Sequence, residues 1–184
     1  MYFTSDLHLG HKKMLEVRPF YNMKSHDDLI IGQLKAVNPK SEIWILGDIS
    51  CGEEEYALER LSEVPAKLHL VSGNHDSVWP FHRNAHNKQR KFLEVFESVS
   101  YMARVHIGGR KVFLHHDWHG KTMPNSDEVA MLHGHTHSSD KLTGYNTVNM
   151  CLEAWNYRVA SAAEVSAAID ETMSLTEANS YRIV

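Results

Sequence analysis

Two rhythms of apolar and polar positions run along this chain, and the points where they change mark its elements. Met1 to Ser5 reads as a short first strand that delivers Asp6 and His8. Ser25, with Asp28 three residues on, reads as a helix N-cap. Leu29, Ile30, Gln33, Leu34 and Val37 then mark one helical face, and Asn38-Pro39 stops it. Glu42 to Leu46 is a strongly apolar strand ending in Gly47-Asp48. Glu53 to Ser62 has helical spacing, with Tyr56, Leu58, Leu61 and Val64 available for burial, and Pro65 closes it. Lys67 to Ser72 is a third strand, ended by Gly73. Strand, helix, strand, helix, strand predicts parallel pairing through crossover helices.

The second half changes character. Ser98 to Ile107 and Arg110 to Leu114 are strand-like runs joined at Gly108-Gly109, a hairpin turn. Val129 to Leu132 and Asn146 to Cys151 read as further strands. Ser161 caps a last helix with Glu164 at its third position, continuing through Val165 and Ile169. Between the halves, residues 82 to 91 carry four basic groups and no acid, read as a solvated loop entering a helix through Phe92, Leu93 and Phe96. No repeat or linker interrupts the 184 residues, which predicts one domain over 1–184.

Composition adds little until histidine is counted. Hydrophobic content of 42% and charge of 23% are ordinary for a globular chain. No apolar run is long enough to span a bilayer, and no secretory signal opens the sequence. Cys51 and Cys151 are too few for a disulfide framework, so a reduced cytoplasmic protein without membrane contact is expected. The net charge of −4 gives no general attraction to nucleic acid. The outlier is 14 histidines, clustered at strand ends beside carboxylates.

Those strand ends carry the candidate chemistry. Side chains two apart on extended backbone share a face, so Asp6-x-His8 can grip one cation together. In Gly73-Asn74-His75-Asp76, glycine permits a tight turn and Asn74 offers a neutral oxygen. His75 can move protons near neutral pH, and Asp76 can hold its orientation. With Asp48, one of His115 and His116, His135 and His137, seven mixed N and O ligands assemble, too many for one tetrahedral zinc. They suit two divalent ions bridged by Asp48, one on Asp6, His8 and a distal histidine, the other on Asn74 and the remaining two. Mn²⁺, Fe²⁺ or Fe³⁺, Zn²⁺ and Ni²⁺ are all admissible on ligand type. Two ions about 3.5–4 Å apart form a clamp for in-line attack on phosphorus. His75 is then the spare imidazole, placed to protonate the leaving alkoxide.

Other positions admit two readings. His11, His119 and Arg18 either reach a phosphate from the mouth of the site or decorate loops. Trp118, Trp155 and Tyr157 either wall the pocket or pack in the core. His133 reads as a packed strand residue, and His26, His69, His82, His86 and His106 as structural.

Asp6-x-His8, Gly47-Asp48, Gly73-Asn74-His75-Asp76, a strand-end histidine near 116 and Gly134-His135-Thr136-His137 stand in the order of five blocks. In this the chain resembles the calcineurin-like metallophosphoesterases, from Tyr2 to about Ala160. It is most similar to their short single-domain prokaryotic and phage branch, through Thr4 to His11, Arg18-Pro19-Phe20 and Trp155-Asn156-Tyr157. The resemblance implies an α/β (α+β) fold, a two-sheet β-sandwich flanked by helices in four αββα layers. It places Asp6, His8, Asp48 and His137 on a first metal, and Asp48, Asn74, His116 and His135 on a second. It makes His75 the acid or transition-state contact, oriented by Asp76. The implied activity is hydrolysis of phosphomono- or phosphodiesters by a metal-bridging hydroxide.

One block departs from the pattern. Where histidine, an aromatic and proline are usual, this chain has His115-His116-Asp117-Trp118, and aligning Lys111 to Leu114 with the strand makes His116 the ligand over His115. A non-catalytic scaffold that binds a protein or nucleotide partner would be expected to lose ligands or the equivalent of His75, and none is missing. Metallo-β-lactamase-like enzymes need a compact His-x-His-x-Asp-His block, which is absent. A small phosphoester or nucleotide is the expected substrate, taken in an open, shallow site. Nucleic acid is compatible with the chemistry and not indicated by the charge.

Overall fold

The computed structural model describes residues 1–118 and 128–180. In chain order these form β1 (Tyr2–Thr4), α1 (Met23–Lys35), β2 (Glu42–Ile45), α2 (Glu54–Ser62) and β3 (Lys67–Val71), then α3 (Ala85–Phe92) and β4 (Ser98–Ser100). The second half adds β5 (Met102–Ile107), β6 (Arg110–His115), β7 (Val129–His133), β8 (Leu142–Gly144), β9 (Thr147–Asn149), β10 (Ala160–Ser161) and α4 (Ala162–Ser180). Two five-stranded sheets result, in the orders β10-β1-β2-β3-β4 and β5-β6-β7-β9-β8.

The crossover pattern of the first half produces the parallel pairing expected of it: β1, β2, β3 and β4 all run the same way. Ile43, Ile45, Leu68 and Leu70 of this sheet are buried in one cluster with Ile30 and Leu34 of α1, Leu58 and Leu61 of α2, and Phe92 of α3. A second cluster joins Phe3 and Val71 of the first sheet to Val112, Leu114, Leu132 and Val148 of the second. Val165, Ala168 and Ile169 of α4 enter that same cluster. Each large aliphatic side chain so enclosed contributes about 1.5–3 kcal/mol, so the two clusters hold the sheets face to face with helices around them.

Several elements differ from the sequence expectation. Asn22, not Ser25, is the N-cap of α1. Its side chain accepts from Ser25 N at 2.8 Å, and Ser25 Oγ accepts from Asn22 N at 3.3 Å, a reciprocal capping box in which Ser25 is the third helical residue. The run from Ser98 to Ile107 is not one strand. It breaks at Tyr101, with β4 pairing in the first sheet and β5 in the second. Alternation of apolar and polar residues predicts extension but not which sheet receives it. β8 and β10 are too short to leave a period in the sequence. The Ser161–Glu164 cap forms as expected: Ser161 N donates to Glu164 Oε2 at 2.9 Å and Glu164 N to Ser161 Oγ at 3.3 Å. Among the described residues no helix is long and apolar enough to cross a membrane.

Candidate metal centre

Beyond their strand ends, the loops of the two sheets are laced together by backbone bonds. Asp6 N donates to Gly47 O, His8 N to Asp48 O and Gly134 N to His116 O, each at 3.0 Å. Within these loops Asp6, His8, Asp48, His135 and His137 all have left-handed backbone, with φ between 48° and 72°. Such a conformation costs roughly 1–3 kcal/mol per residue and persists only where the surroundings impose it. The imposing contacts include His135 N, which donates to Asp6 Oδ2 at 2.9 Å, and His75 N, which donates to Asp48 Oδ1 at 2.9 Å. Glycine is required where the loops touch. At Gly47, with φ of +89°, a Cβ would lie 2.5 Å from His116 Nδ1 and 2.6 Å from Gly73 Cα.

This scaffold gathers the seven ligand candidates into two adjoining groups. In the first, His8 Nε2 is 3.1 Å from His137 Nε2, and Asp6 Oδ1 is 3.6 Å from the latter and 4.0 Å from the former. In the second, Asn74 Oδ1 lies 3.0 Å from His116 Nε2 and 2.8 Å from His135 Nδ1, with those nitrogens 3.2 Å apart. Asp48 Oδ2 stands between the groups, 3.8 Å from His8 Nε2 and 3.4 Å from His116 Nε2. It is His116 that enters the group; the His115 ring packs edge-on against Tyr101 at 4.6 Å.

The chemistry of this donor set fits two divalent cations. His116 Nδ1 faces Leu46 O at 2.7 Å, and His137 Nδ1 faces Glu153 Oε1 at 3.2 Å. In the neutral rings those acceptors would take the Nδ1–H and turn Nε2 inward as a lone pair, the arrangement that second-sphere partners impose on metal-ligating imidazoles. Ring nitrogens converging at 3.1 and 3.2 Å need a shared proton or a cation among them. The proton affinities agree. Burial pulls His8 down to about 3 against the charges of Asp6 and Asp48, so it is a neutral donor. Burial also disfavours charge on His116. There the Asp48 hydrogen bond and the charges of Asp6 and Asp48 prevail and lift it to about 9. The pocket therefore attracts positive charge at the position where the second cation would stand.

The remaining predicted residues divide. His75 is on the rim, exposed, its ring 5.6 Å from that of His8. His11 is beside it, 5.9 Å from His8. Asp76 does not orient His75. Its buried carboxylate accepts from Asp48 N and Ile49 N at 3.0 Å and from Gly73 N at 2.7 Å, bracing the two ligand loops against each other. Arg18 is not at the mouth. Its side chain is fully enclosed, donating from Nη2 to Asp6 O at 2.7 Å, from Nη1 to Leu7 O at 3.1 Å and from Nε to Glu153 Oε1 at 2.8 Å. Trp118 is half-buried with its ring 6.1 Å from His115 rather than over the ligands. Trp155 is buried and bonded to Asn149 O, and Tyr157 packs on Phe20. His133 bonds to Gly134 O and Thr143 Oγ1 as a structural residue. His119 lies outside the described residues.

Three contributors were not foreseen. Glu153 links Arg18 to His137. The Cys151 thiol, pushed well above its usual range by burial and Asp6, donates to Asp6 Oδ2 at 3.1 Å. Cys51 Sγ lies 3.3 Å from His75 Nδ1.

Two adjoining triads, Asp6 with His8 and His137 and Asp48 with His116 and His135, stand at one end of a two-sheet sandwich, an arrangement that suits a metallophosphoesterase. The chain belongs to the calcineurin-like phosphoesterase superfamily, whose domain matches residues 1–152. It is 33% identical over 189 residues to the Gene 66 protein of Mycobacterium phage L5, covering 89% of this chain and 91% of that one. The Gene 66 protein of Mycobacterium phage D29 is 30% identical over 183 residues, covering 85% and 89%. Among solved structures, AQ665 from Aquifex aeolicus, a protein of unknown function, superposes with a TM-score of 0.66 at 21% identity, over 91% of this chain and 97% of that one. Yfce, a phosphoesterase from E. coli, gives 0.52 at 21% identity, over 82% and 76%. Both likenesses are of fold.

Proposed function

We propose that this chain is a dinuclear metal-dependent phosphoesterase that hydrolyses phosphomono- or phosphodiester bonds. The observation that carries the reading is the place of Asp48 Oδ2, within 4 Å of a histidine nitrogen in each triad, where one carboxylate can serve two cations. Asp6, His8, Asp48 and His137 would hold the first, and Asp48, Asn74, His116 and His135 the second, with Mn²⁺, Fe²⁺ or Fe³⁺, Zn²⁺ and Ni²⁺ suited to these ligands. When bound, the ions supply a water acidic enough to attack near neutral pH and positive charge against the phosphoryl oxygens.

The chain's own residues do the rest. Asp6 is kept from rotating by the His135 N–H and the Cys151 thiol. Asp76 fixes the separation of the Asp48 and Asn74 loops. His75, on the rim, holds a proton for the leaving oxygen as the P–O bond breaks. The His137 side chain is 34% exposed and His75 is open to solvent, which suits small esters and nucleotides. Cys51 and Cys151 are free thiols, in keeping with a reducing compartment.

The test is turnover of p-nitrophenyl phosphate and bis-p-nitrophenyl phosphate by the metal-loaded chain, with bound metal counted on the same sample. Two ions per chain and measurable hydrolysis are expected. Two ions with no hydrolysis of either ester would leave a metal-binding scaffold and overturn the reading.

A further inference from the structure

Resting on the reading of His75 as proton donor to the leaving oxygen, we infer that Cys51 is its positioning residue, in the role the sequence suggests for Asp76. The first argument is by elimination. Both Asp76 oxygens accept from backbone N–H groups in a buried site, and that carboxylate makes no hydrogen bond with the His75 ring. Among the described residues the one hydrogen-bonding partner of the His75 ring is Cys51, with Sγ 3.3 Å from Nδ1.

The second argument is that both partners are held in place. The Cys51 loop is tied to the first-strand loop through a bridge between Leu9 and Ser50, and Ser50 is itself buried. His75 is anchored through its own N–H to Asp48 Oδ1 at 2.9 Å. The thiol and the imidazole therefore meet because two fixed loops meet. His75 is otherwise exposed, and an exposed imidazole without a partner samples several rotamers. Misplacing a catalytic group by about 1 Å can cost on the order of a hundredfold in rate.

The third argument is chemical. By taking Nδ1, the sulfur leaves Nε2 as the nitrogen for the substrate. A protonated ring donates its Nδ1–H to the sulfur and keeps that hydrogen when the proton on Nε2 passes to the leaving oxygen, so the pair stays bonded before and after the transfer. Burial and the charge of Asp48 push the thiol above its ordinary value.

The experiment is a double-mutant cycle with Cys51→Ala, His75→Ala and the pair, read on an alkyl phosphoester and a nitrophenyl phosphoester. Protonation matters far more for an alkoxide than for a nitrophenolate. Cys51→Ala is expected to lower kcat for the alkyl ester about tenfold more than for the nitrophenyl ester, and Cys51→Ser to restore most of the difference. In the His75→Ala background Cys51→Ala should have no further effect. Imidazole ¹⁵N spectra of the Zn²⁺-loaded protein, assigned by the signals lost in His75→Ala, should show a change in the His75 tautomer ratio on Cys51→Ala. An equal loss on both esters, a loss that persists without His75, or an unaltered tautomer ratio overturns the inference. If His75→Ala itself spares the alkyl ester, the reading of His75 falls first.

Discussion

Replacing Glu153 by glutamine should weaken one metal position and leave the other. Its carboxylate joins Arg18 Nε at 2.8 Å to His137 Nδ1 at 3.2 Å, with the Glu153 side chain 12% exposed and that of Arg18 not at all. Burial pushes the Glu153 carboxyl up, but the His137 hydrogen bond and the Arg18 guanidinium overcome it and hold the group down at about 2. A carboxyl depressed in the fold stabilises it above its unfolded value of 4.5 and loses that contribution as pH falls toward 2, so the full effect is present at pH 7. Breaking a buried ion pair costs about 3–5 kcal/mol. Arg18 keeps the Asp6 and Leu7 carbonyls and the contact with His26 Nε2, which argues for the lower end. About 3 kcal/mol in a chain of this size lowers Tm by roughly 6–12 °C. His137 keeps only a neutral amide oxygen in place of the carboxylate that fixes its tautomer and raises its basicity, and weakening such a partner in metal sites costs about 10–100-fold in affinity. Calorimetric titration of folded Glu153→Gln with Mn²⁺ should therefore show one position near wild type and one weakened by that factor. Equal weakening of both, or of neither, would refute the idea that the Arg18–Glu153 pair serves the Asp6, His8 and His137 triad.

Asp76→Asn should lower stability by about 1.5–3 kcal/mol, because an amide cannot accept three backbone N–H bonds as a carboxylate does; denaturant unfolding measures it, and an unchanged midpoint would show that the brace is dispensable. His69 stacks on Trp44 at 4.4 Å with a buried, unbonded Nε2, and burial holds its pKa below 6.5 against the charges of Glu42 and Glu97. The unfolded state then binds the proton more readily, so stability should fall as pH drops through 6.5, and His69→Phe should flatten the slope between pH 7 and 5.5. Chelation of the metal-loaded protein should lower Tm, since ions that bind only the folded chain stabilise it by mass action; a Tm indifferent to chelator would deny folded-state binding.

The convergence of the candidate ligands was legible because each lies at a strand end inside a short motif, so local sequence carries both its identity and its place. His116 over His115 followed from the register of one strand. Arg18 was misread for the opposite reason. A guanidinium near a phosphate site and one buried under it look alike until its partner is known, and Glu153 is 135 positions away. Asp76 turns away from His75 because backbone N–H groups take its oxygens, two from the loop after β2 and one from Gly73 in its own loop. The passage of residues 98–107 from one sheet to the other left no trace in polarity, since both destinations are apolar.

Each triad draws side chains from both sheets: Asp6 and His8 with His137, and Asp48 with His116 and His135. At the other end α4 runs straight on from β10 of one sheet and packs against β5, β8 and β9 of the other. The molecule is therefore closed like a book, spined by a helix and clasped, in the proposed reading, by the cations its triads would hold. Emptying the clasp should let the strand tips part first, raising amide exchange around residues 47, 73 and 134 while the spine stays protected.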